Sequence, residues 1–216
     1  MKYIEKSDEP QELFEYKQTP GVCFEGMPSE VKIPLKIKLV TEQGYLCCYC
    51  GKRIEIDPST ILEHLKCQNN YAELELCYNN ILASCDGGQG DRSGKSKKEK
   101  KHFPDHCDAK KDDHYLKLTP LDDDCEDRFT YGSDGRIYGE NDDAQRAIEI
   151  LGLNCLTIIN RRKAVIEAYI ELSQLDPAPS KEYWNSKIRD NSTLNKDGKY
   201  PEYCFAAKYY IRRYLL

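Results

Sequence analysis

The apolar positions of this chain divide it into three unlike stretches. From residue 1 to about 40 no period is sustained, and Pro20, Pro28 and Pro34 interrupt the pattern, which predicts an irregular arm without a long helix. Residues 36–43 alone have the makings of a short helix leading out of it. From 44 to 117 the apolar residues come in short runs, Ile61-Leu62 with Leu65 and Ile81-Leu82-Ala83, of strand rather than helix length. Adjacent side chains on a strand point to opposite faces, so Glu63 and His64 are free to do different jobs there.

After 118 the period lengthens. An acidic linker of Asp122, Asp123, Asp124, Glu126 and Asp127 precedes residues 128–138, which read as a β-hairpin turning at Asp134-Gly135. Asp142 or Asp143 is placed to cap a helix through Ala147, Ile148 and Leu151 that stops at Gly152. Asn154 is placed to cap the next, where Leu156, Ile159, Val165, Ile166, Tyr169, Ile170 and Leu172 recur at helical spacing until Pro177. Two shorter helices are expected near 182–189 and 203–215. The stripe Tyr209, Tyr210, Arg212, Arg213 and Tyr214 in the last reads as a packing face. The expectation is an α+β protein in three parts: an arm at 1–43, a chemical centre at 44–117, and a hairpin with helices at 118–216.

Composition changes this picture at two points. Residues 1–10 are charged and lack the apolar stretch of a signal peptide, no apolar run approaches the ~20 residues of a membrane span, and mean hydropathy is -0.75. These features predict a cytosolic protein without membrane contact, and in reducing cytosol the eleven cysteines point to metal binding or burial rather than disulfides. Net charge is -5, from 32 Lys and Arg against 37 Asp and Glu, unlike a protein that grips phosphates over its whole surface. Basic residues instead concentrate between Arg92 and Lys111, eight against the acids Glu99, Asp105 and Asp108. That local surplus is either a solvated loop or a phosphate contact, and Lys110 and Lys111 are its best candidates for substrate. Gly87-Gly88-Gln89-Gly90 lacks the Lys-Ser/Thr ending of a nucleotide phosphate loop, so any ATP dependence lies outside this chain.

The cysteines are spaced for a metal. Cys47 and Cys50 form a C-x-x-C pair followed by Gly51, the shape of a zinc knuckle, and Cys85 and Cys107 offer a second, wider pair. Four thiolates make a closed structural Zn2+ site with no position left for water. Cys48 is an alternative to Cys47, and His102 or His106 to one of the wider pair; Cys23, Cys67, Cys77, Cys125, Cys155 and Cys204 read as unliganded. Between the pairs lie Glu63-His64, then Asn80 in a second apolar run with Asn79 beside it, and Asp108 directly follows Cys107.

Taken together, C-x-x-C-G, Glu63-His64, Asn80 with Cys85, and Cys107-Asp108 with Lys111 resemble the HNH endonuclease family with a zinc-ribbon staple. The family likeness implies a small ββα-metal core, in which a hairpin and a following helix clasp one divalent cation. It implies Glu63 and Asp108 as cation ligands, where the family more often has Asp or His and Asn or His, with His106 as the alternative second ligand. It further implies His64 as the general base and Asn80 as the residue that fixes the histidine loop. Two hard carboxylates favour Mg2+ or Mn2+ there, and a neutral imidazole near pKa ~6.5 suits proton removal from water.

A more specific likeness covers about residues 36–175. It includes Glu42-Gln43-Gly44, residues 61–68, Asn80 to Cys85, His106-Cys107, Phe129-Thr130-Tyr131 and Asp134-Gly135-Arg136-Ile137. These resemble PtuB-type proteins, the HNH effectors of Septu and some retron anti-phage systems. That likeness implies a PtuA-type ATPase partner, docked by the C-terminal region, and nucleic acid as substrate, with DNA favoured. RNA such as tRNA, or a non-catalytic zinc-ribbon adaptor for the ATPase, are the alternatives.

Overall fold

A computed structural model describes residues 1–216 and shows a mixed α/β chain with two small antiparallel sheets. The N-terminal arm is more ordered than its prolines suggest. Helix α1 (Gln11–Tyr16) is followed by α2 (Ser29–Glu42), a 14-residue helix with Pro28 at its N-cap and Pro34 inside it. Pro34 removes one donor in the second turn. The helix survives that loss because Val31, Leu35, Leu39 and Val40 bury one face against the rest of the protein. The first residues are anchored too: Met1 is fully buried, the Ile4 amide donates to the Pro120 carbonyl (2.8 Å), and Lys6 pairs with Glu42 (3.0 Å).

Strands β1 (Thr60–His64) and β2 (Ile81–Cys85) pair antiparallel, with Glu63 opposite Leu82 and His64 opposite Ile81. The second apolar run begins not as strand but as a 3-10 turn over Tyr78–Asn80, which lifts Asn80 out of the sheet. Three helices of four residues each follow: α3 (Gln89–Arg92), α4 (Lys97–Lys100) and α5 (Asp108–Lys111).

The rest is the expected hairpin and helices with different caps. Strands β3 (Phe129–Tyr131) and β4 (Ile137–Gly139) pair antiparallel. Helix α6 (Asp142–Leu151) is capped by Asn141, whose side chain accepts from the Ala144 amide (2.9 Å), and ends on left-handed Gly152. Asp142 and Asp143 lie in its first turn, where their charge favours the helix dipole, rather than at the cap. Asn154 does not cap α7 (Leu156–Ser173). Its amide brackets both backbone groups of Ile137 (3.0 and 2.8 Å) and ties the hairpin to the helices, and Cys155 holds the cap position. Helices α8 (Lys181–Asp190) and α9 (Cys204–Tyr210) complete the chain, the last turns at Ile211–Leu215 widening to π geometry.

The acidic linker is partly structural. Cys125–Arg128 forms a 3-10 turn, and Glu126 sits between the ammonium groups of Lys2 and Lys208. One buried cluster runs from Met1 through Leu39, Ile81 and Phe129 to Ala206, so all three parts of the chain share a core. No helix is long and apolar enough to cross a membrane.

Candidate metal and polar site

Two chemically distinct places lie next to one another in the middle of the chain. The first is sulfur. Cys47, Cys50, Cys85 and Cys107 bring their Sγ atoms within 4.8 Å of one another, all buried. Cys47–Cys107 and Cys50–Cys85 are 3.9 and 4.0 Å apart. Tetrahedral Zn2+ with Zn–S bonds of about 2.3 Å requires S···S edges of about 3.8 Å, so the four thiols fit that metal. Burial raises the Cys107 thiol well above its usual range and the other sulfurs push the same way, so a bound dication is what would let all four ionise together.

Local chemistry explains how the sulfurs meet. Gln43, at the end of α2, donates to the Leu46 and Ala83 carbonyls (2.8 Å each) and accepts from the Ala83 amide (2.7 Å). The knuckle is thereby sewn to β2, reinforced by the Cys48 amide on the Ala83 carbonyl (3.1 Å). Gly51 has φ +78°, and a Cβ there would lie 2.4 Å from the Phe205 ring. Only glycine satisfies both conditions. Cys107 takes a left-handed φ of 52°, held by its amide on the Leu151 carbonyl at the end of α6 (2.8 Å). Cys48 belongs to the core rather than to the cluster, and His102 is exposed. His106 lies beside the sulfurs, its Nδ1 3.3 Å from Cys107 Sγ and 3.9 Å from Cys85 Sγ, rather than with the carboxylates.

The second place is a cavity of about 340 Å3 lined by Glu63, His64, Cys67, Asn69, Asp108, Lys111 and Asp113 among others. Strand alternation would send Glu63 and His64 apart. His64 ends β1, however, and both residues line this one cavity. Asp108 joins Glu63 in the lining of this cavity. Burial and then the neighbouring Glu63 push the Asp108 carboxyl up to about 8. Tyr49, buried on the knuckle, donates to Glu63 Oε1 (2.8 Å), and the Lys111 ammonium lies 3.0 Å from the same oxygen.

His64 is held from two sides. Its Nε2 lies 2.9 Å from the Glu75 carbonyl, which can only accept, so Nε2 carries the proton and Nδ1 the lone pair of the neutral ring. The Phe24 ring meets it edge-on at 4.5 Å. Burial lowers its pKa below the ordinary value, with Lys111 adding to the effect, and the ring is neutral at pH 7. Asn80 fixes the surrounding loop: its Oδ1 accepts from the Lys66 amide (2.8 Å) and its Nδ2 donates to the Lys66 and Leu74 carbonyls (3.0 and 3.2 Å). Leu74 precedes the residue that holds the imidazole.

Of the two lysines expected at substrate, Lys111 lines the cavity and Lys110 does not. Lys110 donates to the Glu149 carbonyl (2.7 Å), and Lys111 is buried, pairing with Glu63 and donating to the His64 carbonyl (2.8 Å). Arg92 pairs with Asp105, whereas Lys97, Lys98, Lys100 and Lys101 are exposed. Three participants had no signal along the chain. Phe24 is 40 residues from His64 in a proline-rich arm, Glu75 contributes only a backbone oxygen, and Tyr49 was hidden as the variable residue of a C-x-x-C pair.

No family model matches the chain. A curated protein of Vibrio cholerae serotype O1 biovar El Tor, named "Retron Vc95 putative HNH endonuclease", is 29% identical over 172 residues. The alignment spans 75% of this chain and 78% of that protein. The similarity supports an HNH endonuclease family.

Proposed function

We propose that this chain is a metal-dependent HNH endonuclease that hydrolyses phosphodiester bonds of DNA with little sequence preference, as the nucleic-acid-cutting effector of a bacterial anti-phage complex. The observation that supports the reading is one cavity lined by His64, whose imidazole is held by the Glu75 carbonyl, together with Glu63 and Asp108. Strands β1 and β2 with α5 then correspond to the ββα-metal layout, stapled by zinc on the four cysteines.

In this mechanism Glu63 and Asp108 would hold Mg2+ or Mn2+. The cation, when bound, neutralises charge on the phosphate and on the leaving oxygen. His64 takes the proton of the attacking water on Nδ1, because Nε2 is committed to Glu75. Asn80 keeps the 66–74 loop, and through it the ring, in one orientation. Lys111 balances the buried carboxylate charge rather than gripping substrate, which leaves the exposed lysines of α4 as the phosphate-facing surface. We keep the partition at 1–43, 44–117 and 118–216 and assign docking of a PtuA-type ATPase to the last part. Exposed Tyr138, Leu156 and Leu175 there support that assignment.

The test incubates the chain, with and without such an ATPase, with plasmid DNA and with total tRNA, in Mg2+ or in EDTA. Wild-type cutting that requires Mg2+ and is lost in His64→Ala and Glu63→Ala supports the reading. Cutting of tRNA alone replaces the substrate, and full defence function in His64→Ala replaces the nuclease by an adaptor.

A further inference from the structure

Glu63 is gripped in an asymmetric way that the endonuclease chemistry does not require. Both of its close donors, the Tyr49 hydroxyl at 2.8 Å and the Lys111 ammonium at 3.0 Å, fall on the same oxygen, Oε1. Oε2 has neither. Both donors are fixed by other means: Tyr49 is 1% exposed and lies between Cys48 and Cys50 on the sulfur-bound turn, and Lys111 is 1% exposed with a second bond to the His64 carbonyl at 2.8 Å. Neither can swing away without leaving a buried donor unpaired, which costs more than the hydrogen bond itself contributes.

We propose that Tyr49 and Lys111 are positioning residues that occupy Oε1 of Glu63, restrict it to one-oxygen coordination through Oε2, and thereby select a small octahedral cation, Mg2+ or Mn2+, over Ca2+. The inference rests on Glu63 being a cation ligand as proposed above. Its physical basis is the difference in coordination. Ca2+ takes six to eight oxygens and readily accepts both oxygens of a carboxylate, whereas Mg2+ keeps near-ideal octahedral geometry and takes carboxylates through one oxygen. A carboxylate with one oxygen already engaged by a phenol hydrogen bond and an ion pair offers a poor second bond to the larger ion. Lys111 also places a positive charge beside the ligand, which weakens the binding of every dication. A purely structural cluster would affect folding and leave the ratio of the two affinities untouched.

The experiment uses the full chain with its zinc content measured. Mn2+ binding is followed by the electron paramagnetic resonance of the free ion, then competed with Ca2+, for wild type, Tyr49→Phe and Lys111→Met. Tyr49→Phe removes one oxygen atom and no charge, so it guards against Lys111→Met failing to fold. Expected is a wild-type preference for Mn2+ that falls about fivefold or more in Tyr49→Phe, with unchanged zinc, because Glu63 then chelates Ca2+ through both oxygens. Lys111→Met lowers the preference in the same direction while tightening both ions. An unchanged Mn2+/Ca2+ ratio in zinc-loaded Tyr49→Phe overturns the inference. If wild type binds no more Mn2+ than Glu63→Gln, both the inference and the cation site fall. Selectivity that depends on Tyr49 in a chain that cuts no nucleic acid supports the inference and overturns the endonuclease reading.

Discussion

The middle of the chain and its C-terminal half are built on opposite principles. Residues 44–117 contain two five-residue strands and helices of only four residues, yet bury Thr60, Glu63, His64, Asn80, Ser84, His106 and Lys111. Residues 118–216 contain a hairpin and four longer helices, and bury only Arg162 and Asn191 among polar side chains. The first region adds clustered thiols and polar groups that satisfy one another to its share of the common core, and the second rests mainly on apolar faces. Arg162 shows how the second manages its exception, donating to the Gly135 carbonyl (2.8 Å) and the Leu153 carbonyl (3.2 Å) so that α7 grips the hairpin turn. A polar interior fixes side chains in single positions but supplies little net stability, because each bond made replaces one to water. A chemical centre assembled that way gains from a staple, which the four clustered thiols would supply on binding a metal.

The sharpest way to break this contrast is to remove the staple. Cys50→Ser, or zinc chelation, should cost on the order of 10 kcal/mol of apparent folding free energy. Hydrogen exchange should then show protection lost across 44–117 before it is lost in α6 and α7, and simultaneous loss everywhere would mean the two regions are not separately held. His64→Ala should lower cleavage by about 10²- to 10⁴-fold and leave the melting profile nearly unchanged. Leu151→Ala, in the fully buried end of α6, should do the reverse, costing roughly 3 kcal/mol in denaturant unfolding while leaving turnover per folded molecule intact.

A smaller effect tests the joint between the regions. Burial alone would raise Glu126, but Lys2 and Lys208 overcome it and hold its carboxyl down to about 2. A depressed carboxyl contributes stability above its unfolded pKa, near 4.5, and that contribution is lost as pH falls from there toward 2. Its size is roughly 2 kcal/mol once solvent screening is allowed for. Glu126→Gln should flatten this part of the acid-unfolding curve, measured by far-ultraviolet circular dichroism. Smallest of all, Leu156→Ser on the exposed start of α7 should move stability by no more than about 0.5 kcal/mol, so any loss of partner binding it causes would be a surface effect.

Much of the C-terminal half was legible because helices announce themselves locally. The stop at Gly152 and the hairpin at Asp134-Gly135 follow from residues a few positions apart. The caps were off by one or two residues because Asn141, Asp142, Asp143 and Asn154 are all competent, and which one is used depends on what else claims each side chain. Pro34 was misread as a break because the apolar face that outweighs it has value only against a partner surface.

The sequence by itself determined that four thiols could meet, because the tight C-x-x-C-Gly turn is local and a distant pair of cysteines can still close it. It also determined that an acid, a histidine and an asparagine would flank a pair of short strands. Only the tertiary structure decided that Lys111 turns inward to Glu63, that Tyr49 shares the same oxygen, and that Phe24 and the Glu75 carbonyl hold the imidazole. Chain-local periodicities encode backbone shape, whereas the partner of a buried polar group is whichever donor or acceptor the completed fold brings within about 3 Å, and no spacing rule along the chain specifies that.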